Sequence, residues 1–279
     1  MYHKLYEFKE PPFNLTPNSR FFYNSPKHME ALSTLVYAIE ERKGFVVITG
    51  DIGSGKTTVC RALLNKLNRR TKTALINNTH ISGKDLLTTV LEDLEVDFIP
   101  GPKSKLLSQL NEYLIEQLHR GDNVVLIIDE AQNLSPMVLE EVRMLSNLET
   151  ENEKLIQIIF LGQPELKKKL ALSCLEQLRQ RIAVFYHLTP LNAVETKDYV
   201  VHRLRLASDS NREYFNPEAL DLVYQFSKGV PRLINQICDS ALLSGFIYDK
   251  KVIDAALMEE VIRESPVTQI LYNSEKTSD

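Results

Sequence analysis

The chain has 279 residues and a mass of 32.0 kDa, enough for one large domain or two modest ones around a real core. Its hydrophobic and charged fractions, 43% and 25%, sit near globular averages and exclude collagen, coiled coil and wholesale disorder. The net charge is −4, and residues 191–279 hold ten basic against fourteen acidic residues, so the basic excess that a dominant nucleic-acid-binding surface usually leaves is absent.

Residues 1–24, rich in proline and aromatics (Pro11, Pro12, Phe13, Pro17, Phe21, Phe22, Tyr23), read as an ordered, irregular arm that covers a ligand or plugs a core. Ser25-Pro26 supplies an N-cap and a first-turn proline, and Met29, Leu32, Leu35, Val36 and Ile39 follow at helical spacing. Phe45–Thr49 is a short apolar run of the buried-strand type, followed by a helix over about 56–69. A second strand is predicted at Thr73–Asn77, and Ser82-x-x-Asp85 opens a helix in capping-box style. Beyond the Pro100-Gly101-Pro102 break come a helix over about 103–119, a strand at Val124–Ile128 and a helix capped by Ser135-Pro136 that runs to about 149. Leu155–Leu161 reads as the fourth strand and Ile182–His187 as the fifth. Strands alternating with helices imply an α/β fold, a parallel sheet with helices on both faces. After Thr189-Pro190-Leu191 only helical stretches appear, near 192–207, 217–227, 231–247 and 254–264. The expected organisation is therefore an arm over 1–24, an α/β domain over 25–190, a small all-helical lid over 191–264 and a polar, disordered tail over 265–279.

The chemistry concentrates in a few places. Gly50-Asp51-Ile52-Gly53-Ser54-Gly55-Lys56-Thr57 fits G-x-x-x-x-G-K-[ST] and lies between a predicted strand and a predicted helix, the context a P-loop requires. Glycines let the backbone wrap a phosphate and point its N–H groups inward, and the helix N-terminus adds a positive dipole end. Lys56 can reach the β- and γ-phosphates of ATP, the Thr57 hydroxyl can ligate Mg²⁺, and Thr58 completes the nucleotide-binding set. The strand Val124–Ile128 ends in Asp129-Glu130, where Asp129 can hold Mg²⁺ through water and Glu130 can polarise the attacking water. Gln163, past the fourth strand, can orient that water. The competing reading is an ordinary strand-to-helix turn opened by Pro164. Arg179 and Arg181, before the fifth strand, are surface charge or an arginine finger for a neighbouring subunit, and Arg232, at the start of a lid helix, can reach the γ-phosphate. Lys167-Lys168-Lys169 reads as a solvated helix face, and the histidines show no metal spacing. Cys60, Cys174 and Cys238 form no CxxC pair, which fits a reducing compartment, and Cys60 reads as a packed core residue. No apolar run approaches a membrane span and the N-terminus lacks a signal peptide's apolar stretch, so the expected location is cytoplasmic.

On these residues the chain resembles the AAA+ ATPases, specifically the ExeA/GspA-like group of bacterial secretion and pilus ATPases, which includes MshM-like proteins. The likeness runs over nearly all of residues 1–264. It rests on Pro12-Phe13-Asn14-Leu15-Thr16-Pro17, the strand that runs into the P-loop, Ile128-Asp129-Glu130-Ala131-Gln132-Asn133-Leu134, Leu161-Gly162-Gln163-Pro164-Glu165-Leu166, Leu178-Arg179-Gln180-Arg181-Ile182 and Gly229-Val230-Pro231-Arg232-Leu233-Ile234-Asn235. The resemblance implies Lys56 as the Walker A lysine, Asp129 and Glu130 as Walker B, Gln163 as sensor 1, Arg179 or Arg181 as the finger and Arg232 as sensor 2. It also implies ATP hydrolysis to ADP with Mg²⁺, self-association into a nucleotide-dependent oligomer, and service in a secretion or pilus system. Members of the group continue into a membrane span and a peptidoglycan-binding domain, and the sequence stops at residue 279 before either. If the chain is full length, the expectation is a protein peripheral to the inner membrane through a membrane-bound partner, with no insertion of its own. Sensor 1 is Gln163 where many AAA+ proteins use Asn. The rival expectations are a DNA-associated AAA+ ATPase (a transposition helper or an initiator-like protein) and a nucleotide-gated scaffold with little turnover.

Overall fold

A computed structural model describes residues 2–16, 18–150, 153–210 and 212–265. Most of the expected tail at 265–279, and Pro17 of the arm, lie outside the described residues. The chain divides into two compact units, one built from residues 26–52 and 56–188, the other from residues 1–25 and 189–279 together with Gly53–Gly55. The helical unit opens with α1 (His3–Tyr6). The α/β unit holds α2 (Pro26–Glu40), β1 (Phe45–Gly50), α3 (Lys56–Lys66), β2 (Thr71–Ile76), α4 (Gly83–Asp93), α5 (Lys103–His119) and β3 (Asn123–Ile128). It continues with α6 (Pro136–Leu145), β4 (Gln157–Gly162), α7 (Pro164–Leu170), α8 (Glu176–Gln180) and β5 (Ile182–Leu188). The helical unit resumes with α9 (Ala193–Ala207), α10 (Pro217–Ser227), α11 (Pro231–Ile247) and α12 (Ala255–Glu264).

The five strands form one parallel sheet in the order β2-β3-β4-β1-β5. β1 and β4 are buried along their whole length, and β3 from Val124 onward, which is why these segments read as continuous apolar runs. The edge strands differ. β5 alternates between half-buried and exposed residues up to its buried last residue, Leu188, and β2 buries only Ala74 and Ile76. The order places β1 between β4 and β5, with Thr49 opposite Gly162 on one side and His187 on the other. The carboxyl ends of β1, β3 and β4 carry Gly50, Asp129 and Gln163 respectively, so the sheet alone gathers three sequence-remote segments at one edge.

Several boundaries fall short of expectation for local reasons. α3 ends at Lys66 because Asn68 turns the chain, accepting from Arg70 N at 3.0 Å and Thr71 Oγ1 at 3.1 Å. α6 stops at Leu145, where the Ser146 hydroxyl donates to the Arg143 carbonyl at 2.7 Å. Leu155 and Ile156 are buried as their apolar character demands, but β4 starts only at Gln157. Within the helical unit, Tyr2, Tyr6, Phe8, Phe13 and Phe21 of the arm join residues of α9 to α12 in one hydrophobic core.

Candidate nucleotide-binding site

The loop between β1 and α3 carries the phosphate-binding motif. Gly53 and Gly55 adopt φ of +79° and +102°, conformations that side-chain-bearing residues rarely take. Lys56 opens α3 with its side chain buried, donating from Nζ to the carbonyls of Gly50 at 2.8 Å and Asp51 at 3.0 Å. Burial pushes its pKa below the ordinary lysine value, against the pull of the Glu130, Asp129, Asp51 and Glu165 carboxylates. The ammonium thus sits at the loop's mouth on acceptors that phosphate oxygens can replace. Thr58 follows, partly buried in the first turn of α3.

Across from it, the Thr57 hydroxyl donates to Asp129 Oδ2 at 2.8 Å, and Asp129 Oδ1 accepts from the Glu130 N–H at 2.9 Å. Asp129 is held in place by its own N–H, which donates to the Ile76 carbonyl at 2.9 Å. One hydroxyl and one carboxylate are hard oxygen ligands suited to Mg²⁺, which is commonly held by one or two carboxylates, substrate phosphates and water rather than by a protein cage. Among the described residues no group of three or more His, Cys, Asp or Glu forms such a cage. The residues present fit the ion.

Glu130 leaves β3 in the left-handed conformation, φ +52°, a strained geometry of the kind found at functional sites. Its Oε2 accepts from Gln132 Nε2 at 2.6 Å and from Gln163 Nε2 at 2.9 Å. Burial pushes the carboxyl pKa up, but the two amide donors and the Lys56 charge outweigh it, and the net pKa lies below the usual value. Glu130 is therefore ionised at neutral pH. Gln163, the N-cap of α7, also donates its backbone N–H to Gln132 Oε1 at 3.0 Å.

The structure thus brings Lys56, Thr57, Asp129, Glu130 and Gln163 together in the α/β unit. Arg179 and Arg181 stand apart from this group. Exposed Arg179 donates to the Leu170 carbonyl at 3.1 Å, and half-buried Arg181 donates to Ser146 Oγ at 2.7 Å. In the helical unit, Arg232 is the second residue of α11 and is exposed, and its N–H donates to the Gly53 carbonyl at 3.3 Å. Two contributors carry no role in the sequence reading. Gln132 is the link just described. Lys169, read there as part of a solvated face, donates from Nζ to the carbonyls of Gln132 and, at 2.7 Å, of Leu134. Its spacing from buried Leu166 on α7 is the helical signal that could have marked it.

A family model described as an AAA domain matches residues 39–170. General secretion pathway protein A of Aeromonas hydrophila is 42% identical over 247 residues, which cover 88% of this chain and 45% of that protein, so the chain spans less than half of its relative. Among solved structures, the ORC2 protein of Aeropyrum pernix in its ADP form superposes with a TM-score of 0.69 at 14% identity, over 92% of this chain and 73% of that one. The RuvB Holliday junction branch migration motor of Thermotoga maritima does so with a TM-score of 0.59 at 16% identity, over 88% and 72%. At such identities the two structures establish a shared fold. A P-loop on a parallel sheet of this order, an AAA domain over residues 39–170 and a relative at this identity point the same way: the chain carries an AAA domain and is similar, over 88% of its length, to general secretion pathway protein A.

Proposed function

We propose that the chain binds ATP with Mg²⁺ and hydrolyses it to ADP and phosphate, and that the bound nucleotide governs self-association and engagement of a membrane-bound partner in a bacterial secretion or pilus-type system. The observation that carries the hydrolytic reading is the Glu130 carboxylate, fixed by two glutamines next to the Thr57–Asp129 pair. A site built only to hold nucleotide has no use for a half-buried carboxylate held in one orientation. Thr57 and Asp129 would hold Mg²⁺, which supplies charge neutralisation on the phosphates. Lys56 binds the β- and γ-phosphates. Glu130 takes a proton from water as the water oxygen bonds the γ-phosphorus, the bond to the bridging oxygen breaks, and its electron pair leaves with ADP. Arg232 serves as the γ-phosphate contact from the lid.

The pathway part rests on the 42% identity to general secretion pathway protein A over 88% of the chain. Among the described residues no helix is long and apolar enough to cross a membrane. Binding and turnover separate in two variants. Lys56→Ala should abolish tight ATP binding, whereas Glu130→Gln should bind ATP as wild type and lose about 10²–10⁴ in kcat, the usual contribution of a general base. Wild-type turnover by Glu130→Gln would remove Glu130 from the mechanism. Sub-micromolar, steeply salt-dependent binding of duplex DNA would favour the DNA-associated alternative.

A further inference from the structure

We propose that Gln132 is a positioning residue for hydrolysis: it locks the Glu130 carboxylate to the Gln163 turn, so that the base is presented through one oxygen only. The proposal rests on the ATPase reading of the site. Three contacts make Gln132 a junction. Its side-chain N–H₂ donates to Glu130 Oε2 at 2.6 Å, its side-chain oxygen accepts the Gln163 backbone N–H at 3.0 Å, and its own carbonyl accepts from the Lys169 ammonium. The amide can sit only one way round, because the reverse would set oxygen against carboxylate and N–H₂ against N–H. Ala131 and Leu134 on either side are buried, and the Lys169 ammonium bridges the Gln132 and Leu134 carbonyls, so the backbone under Gln132 is fixed at several points.

The consequence for Glu130 follows from which oxygen is used. Gln132 and Gln163 both donate to Oε2, and neither donates to Oε1. Rotating the carboxylate breaks two hydrogen bonds at once. Oε1 is thereby left as the proton acceptor, with its direction set by residues at the ends of two different strands. Gln163 alone offers one donor from a single side chain; Gln132 ties that donor's backbone to the same carboxylate. A misplaced base costs rate rather than affinity, because the nucleotide is held by Lys56 and the P-loop.

The test uses the full chain with Gln132→Leu, which keeps volume and removes both side-chain hydrogen bonds, and with Gln132→Met as a second variant should the first fold poorly. Steady-state ATPase kinetics and the Kd of a fluorescent ADP analogue are measured in each. The expected result is a kcat at least tenfold lower, with KM and Kd within about threefold of wild type. In the Glu130→Gln background, Gln132→Leu should cost nothing further, since its effect passes through Glu130. A kcat within twofold of wild type overturns the role, as does a parallel loss of nucleotide affinity or an additive fall in the Glu130→Gln background. A wild-type chain with no ATP turnover overturns the functional reading and this role together, whereas an active wild type with unaffected variants overturns this role alone.

Discussion

Arg203, 5% exposed in the middle of α9, keeps a full charge inside the helical unit by giving its donors to backbone and phenol rather than to a carboxylate. Nε donates to the Pro12 carbonyl at 2.5 Å, Nη2 to the Asn14 carbonyl at 3.3 Å and Nη1 to the Tyr199 hydroxyl at 2.8 Å, while the guanidinium lies 4.8 Å from the Phe21 ring centroid. The arm's proline-rich segment is thus fastened by one residue some 190 positions later. Leaving the buried Pro12 carbonyl unpaired costs about 1–3 kcal/mol, so Arg203→Met should lower stability by about that amount in urea unfolding. Arg203→Lys should recover only part, because one ammonium cannot reach all three acceptors. A loss under about 0.5 kcal/mol would mean that the arm is held by its aromatics alone. Thiols give a second residue-level expectation. Burial pushes the Cys60 thiol up to about 12 and raises Cys238 still further, whereas Cys174 is exposed. One equivalent of a thiol reagent should therefore react quickly with native protein near pH 8, at Cys174, and Cys174→Ser should remove that phase. Lys56, Thr57, Asp129 and Glu130 were legible in the sequence because each stands in a contiguous motif. Gln132 and Lys169 were not, because their contacts join positions 31 and 37 residues apart, and only the β3–β4 pairing makes them neighbours.

At the scale of elements, β1 and β4 decide where the chemistry is. They pair from Phe45 opposite Ile158 to Thr49 opposite Gly162, and the Phe45 and Phe160 rings stack at 5.6 Å with both side chains almost fully buried. Phe160→Ala should cost about 3–5 kcal/mol, and Phe160→Leu clearly less, because leucine leaves a smaller void. Equilibrium denaturation of the two variants checks the order. An alanine variant as stable as the leucine one would show that the core collapses around the gap. The central strands were readable because burial on both faces demands unbroken apolar runs, and the helices from their caps: the Ser82–Asp85 box and the Ser135-Pro136 start are both in place. Short elements were harder. α1, four residues long, interrupts an arm that reads as irregular, and its Tyr6 is buried in the helical unit rather than marked by any periodicity. α7 and α8 are too short for an apolar stripe to repeat, so only Pro164 announces the first of them.

For the molecule as a whole the decisive matter is whether one chain suffices. In the proposed reaction Glu130 would activate the water and Lys56 would bind phosphate, but the charge that develops on the γ-phosphoryl group calls for a further cation. Arg179 and Arg181 make their own hydrogen bonds away from the Lys56–Glu130 group, so if either acts in hydrolysis it acts on another chain's nucleotide. Their settings differ. Arg181 is half-buried and bonded to Ser146, whereas Arg179 is exposed, with a single hydrogen bond to a backbone carbonyl that it can release. Arg179 is accordingly the better candidate for the finger. An arginine supplied in trans contributes about 10³–10⁵ in rate, so Arg179→Ala should lose most turnover while binding ATP normally, and Arg181→Ala should lose less turnover and more stability. Activity per chain should rise with protein concentration. Arg179→Ala protein, inactive but with an intact P-loop, should regain activity when mixed with inactive Lys56→Ala protein, because a hybrid interface joins one chain's nucleotide to the other's arginine. Specific activity independent of concentration, together with no recovery in mixtures that co-sediment, would mean that each chain hydrolyses ATP alone and that Arg179 is a surface residue.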